Sequence, residues 1–120
     1  MAKKILIVED DLVIRKMYSD LLAKNGYEVF PVATYEECFD VIGKEPIDLV
    51  LLDLMLSGTH NGFDILEAIR QDPNRKTVKV IVLTNLDSEE KVAREIGVTD
   101  YLVKVNTKPS DVLEKIEKVI

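Results

Sequence analysis

The segment Leu49-Val50-Leu51-Leu52 is an unbroken aliphatic run closed on each side by a carboxylate, Asp48 and Asp53. A strand with no polar alternation buries both of its faces, which happens in parallel sheets covered by helices on each side. Similar runs recur along the chain: KILIV at 4–8, YEVFPV at 27–32, DLVLL at 48–52, VKVIVL at 78–83 and DYLV at 100–103. Three of the five show little alternation, so a five-stranded parallel sheet is expected. The stretches between them carry apolar residues at spacings of three and four, the period of amphipathic helices.

Ile14, Met17, Tyr18 and Leu21 form the predicted inner stripe of the first helix, with Asp11 placed to cap its start and Gly26 to end it. A second helix is expected from Thr34, whose spacing to Glu37 fits a capping box, with Tyr35, Cys38, Phe39 and Ile42 facing inward and Gly43 at its end. A third spans about Gly62 to Gln71 and buries Ile65, Leu66 and Ile69 before Pro73. A shorter fourth is opened by Asp87, with Glu90 at capping-box spacing, and closes near Gly97. The last starts around Pro109 and carries Val112, Leu113, Ile116 and Val119 inward. No linker, repeat or low-complexity stretch interrupts the order, so one (βα)₅ domain over residues 1–120 is predicted. Right-handed crossovers make it a doubly wound α/β sheet, whose ligands bind beyond the carboxyl ends of the strands.

Composition narrows the function. Sixteen Lys and Arg against twenty-two Asp and Glu leave a net charge of −6, which disfavours direct binding of nucleic acid. The lone Cys38 has no internal disulfide partner, and the apolar run near the N-terminus is too short for a signal peptide or a membrane span. A cytoplasmic protein with no membrane insertion is expected.

The residues just past the strands are chemically unequal: Glu9, Asp10 and Asp11 after the first, Asp53 after the third, Thr84 after the fourth and Lys104 after the fifth. If the first and third strands are neighbours, several carboxylates converge on one pocket. Like charges about 4 Å apart repel by about 4 kcal/mol at an effective dielectric near 20, so such a cluster calls for a cation. Mg²⁺, with Mn²⁺ as a substitute, suits oxygen ligands and needs neither His nor Cys. Lys104 is the natural counter-charge. Other chemistry is missing: the sequence has no GxGxxG, no GxxxxGK[ST] and no CxxC. The only histidine, His60, falls in the loop SGTHNG and reads as solvent-exposed, while Cys38 reads as a small buried hydrophobe.

With the acidic pair Glu9-Asp10, then Asp53, Thr84 and Lys104 in this order, the chain closely resembles the receiver domain of two-component response regulators, over essentially its whole length. KILIVEDD, DLVLLDLML and DYLVK are each family-like. The resemblance implies a flavodoxin-like sheet of order 2-1-3-4-5. It implies that Asp53 accepts a phosphoryl group from a sensor histidine kinase or a phosphotransfer protein. It implies Mg²⁺ held by Asp10, Asp53 and the Met55 backbone carbonyl, with Glu9 reaching it through water, and Lys104 neutralising charge on the transferring group. Thr84 would bond the new phosphoryl oxygens, Tyr101 would fill the space vacated by the loop after the fourth strand, and an output protein would read the face of the fourth helix, fifth strand and fifth helix. Met55 and Leu86, both apolar, occupy the positions that set hydrolysis of the acyl phosphate, so slow autodephosphorylation and no other enzymatic activity is expected.

The chain departs from the family pattern in three places. Lys104 is followed by Val105 rather than proline, so a trans peptide is predicted there, with Asn106 and Thr107 as turn and capping residues. Ser57 stands where a proline is common, in a loop one residue longer than usual. The stretch from Thr84 to Lys104 is shorter than is common, and Asn85 replaces a small residue. These changes motivate an alternative, a receiver-fold interaction module that is phosphorylated poorly or not at all. A phosphatase with an Asp nucleophile would need a carboxylate where Met55 stands, and a mononucleotide binder would be repelled by Glu9, Asp10 and Asp11. The chain is read either as a stand-alone receiver or as the receiver part of a longer regulator.

Overall fold

A computed structural model describes residues 2–120. Strands β1 (Lys4–Val8), β2 (Glu28–Val32), β3 (Leu49–Leu52), β4 (Lys79–Thr84) and β5 (Asp100–Val103) alternate with helices α1 (Leu12–Lys24), α2 (Tyr35–Ile42), α3 (Gly62–Gln71), α4 (Glu90–Ile96) and α5 (Pro109–Val119). A single 3₁₀ turn, Lys104–Asn106, links β5 to α5. All strand pairs are parallel and the order is β2-β1-β3-β4-β5, with Leu6 opposite Val50 and Leu52 opposite Val82 in the central ladders. The strand order therefore reverses between β1 and β3.

Period-two geometry splits the aliphatic runs into two cores. Leu6, Val8, Val50, Leu52, Val80 and Val82 face α2, α3 and α4, where Cys38, Ile42, Ile65, Leu66, Ile69 and Ala93 meet them. Ile5, Ile7, Leu49, Leu51, Ile81 and Leu83 face α1 and α5, where Tyr18, Leu22, Val112 and Ile116 meet them. A run with apolar residues at every position is what a sheet with two buried faces demands. Cys38 is fully buried, as expected, and burial pushes its thiol up to about 12.

Several local expectations need correction. Met17 is exposed, and the fully buried Leu22 takes its place, because the inward stripe of α1 runs through Ile14, Tyr18, Leu21 and Leu22. Asp87 does not cap α4. The first carbonyl of that helix to be used is Glu89, which accepts from the Ala93 N–H at 3.1 Å, and no side chain caps the start. Thr107 does not cap α5 either, since Lys108 stands at the cap position and its N–H reaches Asp111 Oδ2 at 3.3 Å. By contrast Asp11 caps α1 through the N–H groups of Val13 and Ile14, and Thr34 caps α2 through that of Glu37. No cis peptide occurs among the described residues, so the Lys104-Val105 bond is trans as expected.

The short α4 is tied down at its C-terminal end from α3. Arg70 donates from Nε to the Gly97 carbonyl at 2.7 Å and from one terminal nitrogen to the carbonyls of Lys76 and Val78 at 2.9 and 2.7 Å. One guanidinium thus satisfies three loop carbonyls that no ladder reaches. Arg70→Met keeps the stem and removes the fork, and should lower the unfolding free energy by about 2–3 kcal/mol, read as a lower urea midpoint at unchanged slope. A midpoint equal to wild type would show that water serves those carbonyls equally well.

Candidate functional site

The parallel sheet delivers the ends of β1, β3 and β5 to one place. Asp53 follows β3 and is buried, its N–H bonded to the Val8 carbonyl at 3.0 Å. Glu9 follows β1 and is buried, its N–H bonded to the Val32 carbonyl at 3.0 Å. Glu9, Asp10 and Asp53 each bring a carboxylate oxygen within 4.8 Å of the others. Lys104 reaches in from the end of β5 and donates to Glu9 Oε1 at 2.6 Å and Asp53 Oδ2 at 2.8 Å. Of the six residues named from the strand ends, Glu9, Asp10, Asp53 and Lys104 are therefore brought together.

Burial raises the Glu9 carboxyl above its ordinary range and the Asp53 charge adds to this, while the bonds from Lys104 and the Asp11 N–H pull it back. Burial alone would lower the Lys104 ammonium, but its bonds to Asp53 and Glu9 outweigh that and leave it raised. Lys104 accordingly stays charged, which is the condition for acting as counter-ion to the pocket.

Backbone amides complete the frame. The Asp11 N–H donates to Glu9 Oε2 at 3.1 Å, the Met55 N–H to Asp53 Oδ1 at 3.0 Å and the Ser57 N–H to Asp10 Oδ2 at 2.9 Å. Arg15 holds the Glu9 carbonyl at 2.9 Å. Gly62, the first residue of α3, lies directly on the backbone that carries Asp53: its N–H bonds the Leu54 carbonyl at 3.1 Å, and a Cβ there would fall 2.2 Å from the Asp53 carbonyl oxygen. Arg15, the Ser57 amide and Gly62 were missed in the sequence. Only Gly62 left a trace, a glycine inside the Asn61-to-Asp64 capping box that opens α3.

Thr84 is fully buried and its hydroxyl accepts from the Leu86 N–H at 3.4 Å. The Leu86 carbonyl in turn accepts from the Tyr101 hydroxyl, so Thr84 and Tyr101 are joined through a single residue. Tyr101 is buried. His60 lies outside the acidic pocket: it is exposed, stacks on Tyr35 with ring centroids 4.3 Å apart, and stands 3.5 Å from Asp64. A cavity of about 580 Å³ opens at the other end of the strands near Lys3, Asp48 and Lys79 and shares no residue with the acidic cluster.

The donors fit a hard divalent cation. All are oxygens, and the Met55 carbonyl accepts no hydrogen bond among the described residues.

The close approach at Gly62 is against backbone, which cannot rotate aside. Gly62→Ala should therefore cost about 2–3 kcal/mol of stability, measured by thermal denaturation, and a variant as stable as wild type would show that α3 can retreat freely. A second outcome concerns pH. Burial, and after it the charges of Glu89, Glu90, Asp87 and Asp53, push the Tyr101 phenol up to about 12 from 10.0. The folded state thus holds this proton more tightly than the unfolded chain, so the stability it contributes is full below pH 10 and is lost as pH rises through about 12. In urea titrations across that range, Tyr101→Phe should show a shallower alkaline decline than wild type, and an identical decline would rule Tyr101 out as its source.

Comparison with known proteins gives a consistent result. The family model described as the response regulator receiver domain matches residues 5–117. The regulatory protein VanR of Enterococcus faecium is 39% identical over 99% of this chain and 49% of its own length. The phosphate regulon transcriptional regulatory protein PhoB of Escherichia coli (strain K12) is 30% identical over 100% of this chain and 52% of its own. The chain spans about half the length of these curated relatives. Among solved structures, the chemotaxis response regulator CheY4 of Vibrio cholerae superposes with a TM-score of 0.89 at 30% identity, covering 100% of both chains. The response regulator TrrA of Thermotoga maritima, in complex with Mg²⁺ and BeF, superposes with a TM-score of 0.86 at 28% identity over 98% of this chain and 99% of its own. The sheet order, the strand-end residues and the matched family model agree: this chain belongs to the response regulator receiver domain family of two-component systems.

Proposed function

We propose that Asp53 is the phosphoacceptor of a two-component or phosphorelay system. The observation that carries this reading is the Lys104 ammonium bonded at 2.8 Å to the carboxylate of a buried Asp53, beside two further acids whose oxygens could share a cation. An Asp53 oxygen attacks phosphorus, a P–O bond forms, and the P–N bond to the donor histidine of a sensor kinase or phosphotransfer protein breaks, the electron pair leaving with the imidazole. Lys104 neutralises charge on the transferring oxygens, which is most of what phosphoryl transfer asks of a protein. Asp10, Asp53 and the Met55 carbonyl would hold Mg²⁺, with Mn²⁺ as a substitute and Glu9 contacting it through water. When bound, the ion supplies charge compensation for acceptor and phosphoryl group.

In this reading the Thr84 hydroxyl, which accepts from the Leu86 N–H, donates its own proton to a phosphoryl oxygen, and the resulting shift reaches Tyr101 through Leu86 and alters a surface read by an output protein. Phosphorylation shifts that equilibrium only by its differential interaction with the two states. The protein works in the cytoplasm, and among the described residues no helix is long and apolar enough to cross a membrane. It is a signalling acceptor rather than an enzyme with turnover. Met55 and Leu86 offer no polar side chain to position water, so the acyl phosphate hydrolyses slowly.

Intact-mass measurement after incubation with Mg²⁺ and a small acyl phosphate should show one added phosphoryl group on wild type and none on Asp53→Ala or in the presence of a chelator. The adduct should persist after the donor is removed. A wild-type protein that takes up no phosphoryl group would instead favour the interaction-module reading, and an adduct on Asp53→Ala would move the acceptor elsewhere.

A further inference from the structure

We propose that the backbone amide of Ser57 is a positioning donor that orients Asp10 for cation binding before any ion arrives. This rests on the reading that the acidic pocket holds Mg²⁺. Each of the three carboxylates accepts one backbone N–H, but the three bonds differ in kind. Those of Glu9 and Asp53 come from amides two residues further along the same turn. Asp10 takes its bond from a residue 47 positions away, across the mouth of the pocket. Asp10 is also the carboxylate that Lys104 does not pair, since the ammonium is bonded to Glu9 and Asp53. It is half-buried where the other two are buried. The Ser57 amide is thus the partner that holds the least constrained ligand.

The loop that presents this amide is itself held. Its far end is closed by the Gly62 N–H on the Leu54 carbonyl at 3.1 Å and by the reciprocal bonds between Asn61 and Asp64, at 2.9 and 3.1 Å. Its near end is held by the Met55 N–H on Asp53. The Ser57 side chain makes no hydrogen bond among the described residues, so what this position contributes to the pocket is its N–H. Proline, common at the corresponding position in the family the chain resembles, has no N–H and cannot make the bond. The device therefore belongs to this chain rather than to the fold.

Two effects of the bond oppose each other. It draws charge from Asp10 and so makes the carboxylate a slightly poorer ligand, and it fixes the carboxylate's orientation in advance. The charge effect is felt chiefly at Oδ2, the oxygen that accepts from the amide. Orientation acts on the whole group. Partners behind a metal ligand are commonly worth ten- to a hundredfold in affinity, and an exposed loop donor belongs at the low end of that range, so orientation prevails and the bond strengthens Mg²⁺ binding about tenfold.

The test is titration calorimetry with MgCl₂ on wild type, Ser57→Ala, Ser57→Pro and a backbone ester at position 57, in which the hydroxy acid replaces the N–H by oxygen without a ring. Ser57→Pro and the ester should bind Mg²⁺ about tenfold more weakly than wild type, and Ser57→Ala, which keeps the amide, should restore wild-type affinity. With a small acyl phosphate as donor, the same two forms should need proportionally more Mg²⁺ for half-maximal phosphorylation, the loss lying in that midpoint rather than in the plateau rate. If Ser57→Pro does not fold, the ester decides. Wild-type affinity in the ester, or equal weakening in Ser57→Ala, would overturn the assignment while leaving the pocket as a Mg²⁺ site. A wild-type protein that binds no Mg²⁺ would overturn the pocket reading, and the role of Ser57 with it.

Discussion

Three carboxylates crowded at the edge of an apolar core would repel one another strongly, and the Lys104 ammonium is what lets the folded chain keep them there. The arrangement joins the ends of three strands. Glu9 closes β1, Asp53 closes β3 and Lys104 follows β5, so the ion pairs span the sheet from its middle to one edge. Removing one partner of a buried pair leaves an uncompensated charge, which costs about 3–5 kcal/mol in buried pairs generally. Lys104 is outnumbered by the acids around it. The pocket is held together but remains short of positive charge, and its acids could share a cation.

The strand ends alone would not position the acids. Backbone does the rest: one amide for each carboxylate, a carbonyl of Glu9 held by Arg15, and α3 seated on the Asp53 peptide because Gly62 has no Cβ to keep it away. A side chain that must act on a ligand cannot also be its own support. Each carboxylate is thus supported by a main-chain amide that carries no net charge, and the one charged support, Arg15, bonds the Glu9 carbonyl rather than a carboxylate.

This division explains which parts were readable in the sequence. Both faces of the sheet are buried, so its strands appear as unbroken aliphatic runs, and the residues directly after them are the site. Asp53 was visible because a carboxylate closing LVLL has no structural excuse. The Ser57 amide was invisible, since every residue but proline has an N–H and no pattern says where it points. Arg70, in the last turn of α3, carries no sequence signal of its role, yet it serves three carbonyls 6 to 27 residues away. Met17 and Leu22 show the limit of periodicity: both fall near the apolar stripe of α1, and only the approach angle of the helix to the sheet decides between them. Asp87 had the right spacing to a glutamate, but spacing does not say that the chain will turn helical there. Leu86 just before it is held in the loop by Thr84 and Tyr101, and the helix starts only at Glu90.

That same loop decides where the fold can yield. The start of α4 has no side-chain cap, and the helix spans 7 residues, too few to be stable without tertiary support. Its C-terminal end has that support from Arg70 on the Gly97 carbonyl, whereas just ahead of its first turn Leu86 is tied to Thr84 and to Tyr101. Segments that move in a switch are drawn from the least stable parts of a structure. The Leu86 N–H reaches the Thr84 hydroxyl at 3.4 Å, a looser contact than the 2.6 and 2.8 Å bonds by which Lys104 ties the ends of the other strands together. The loosely held loop and the stiff frame meet at the same strand ends, so a displacement at Thr84 is taken up more easily by the loop ahead of α4 than by the sheet.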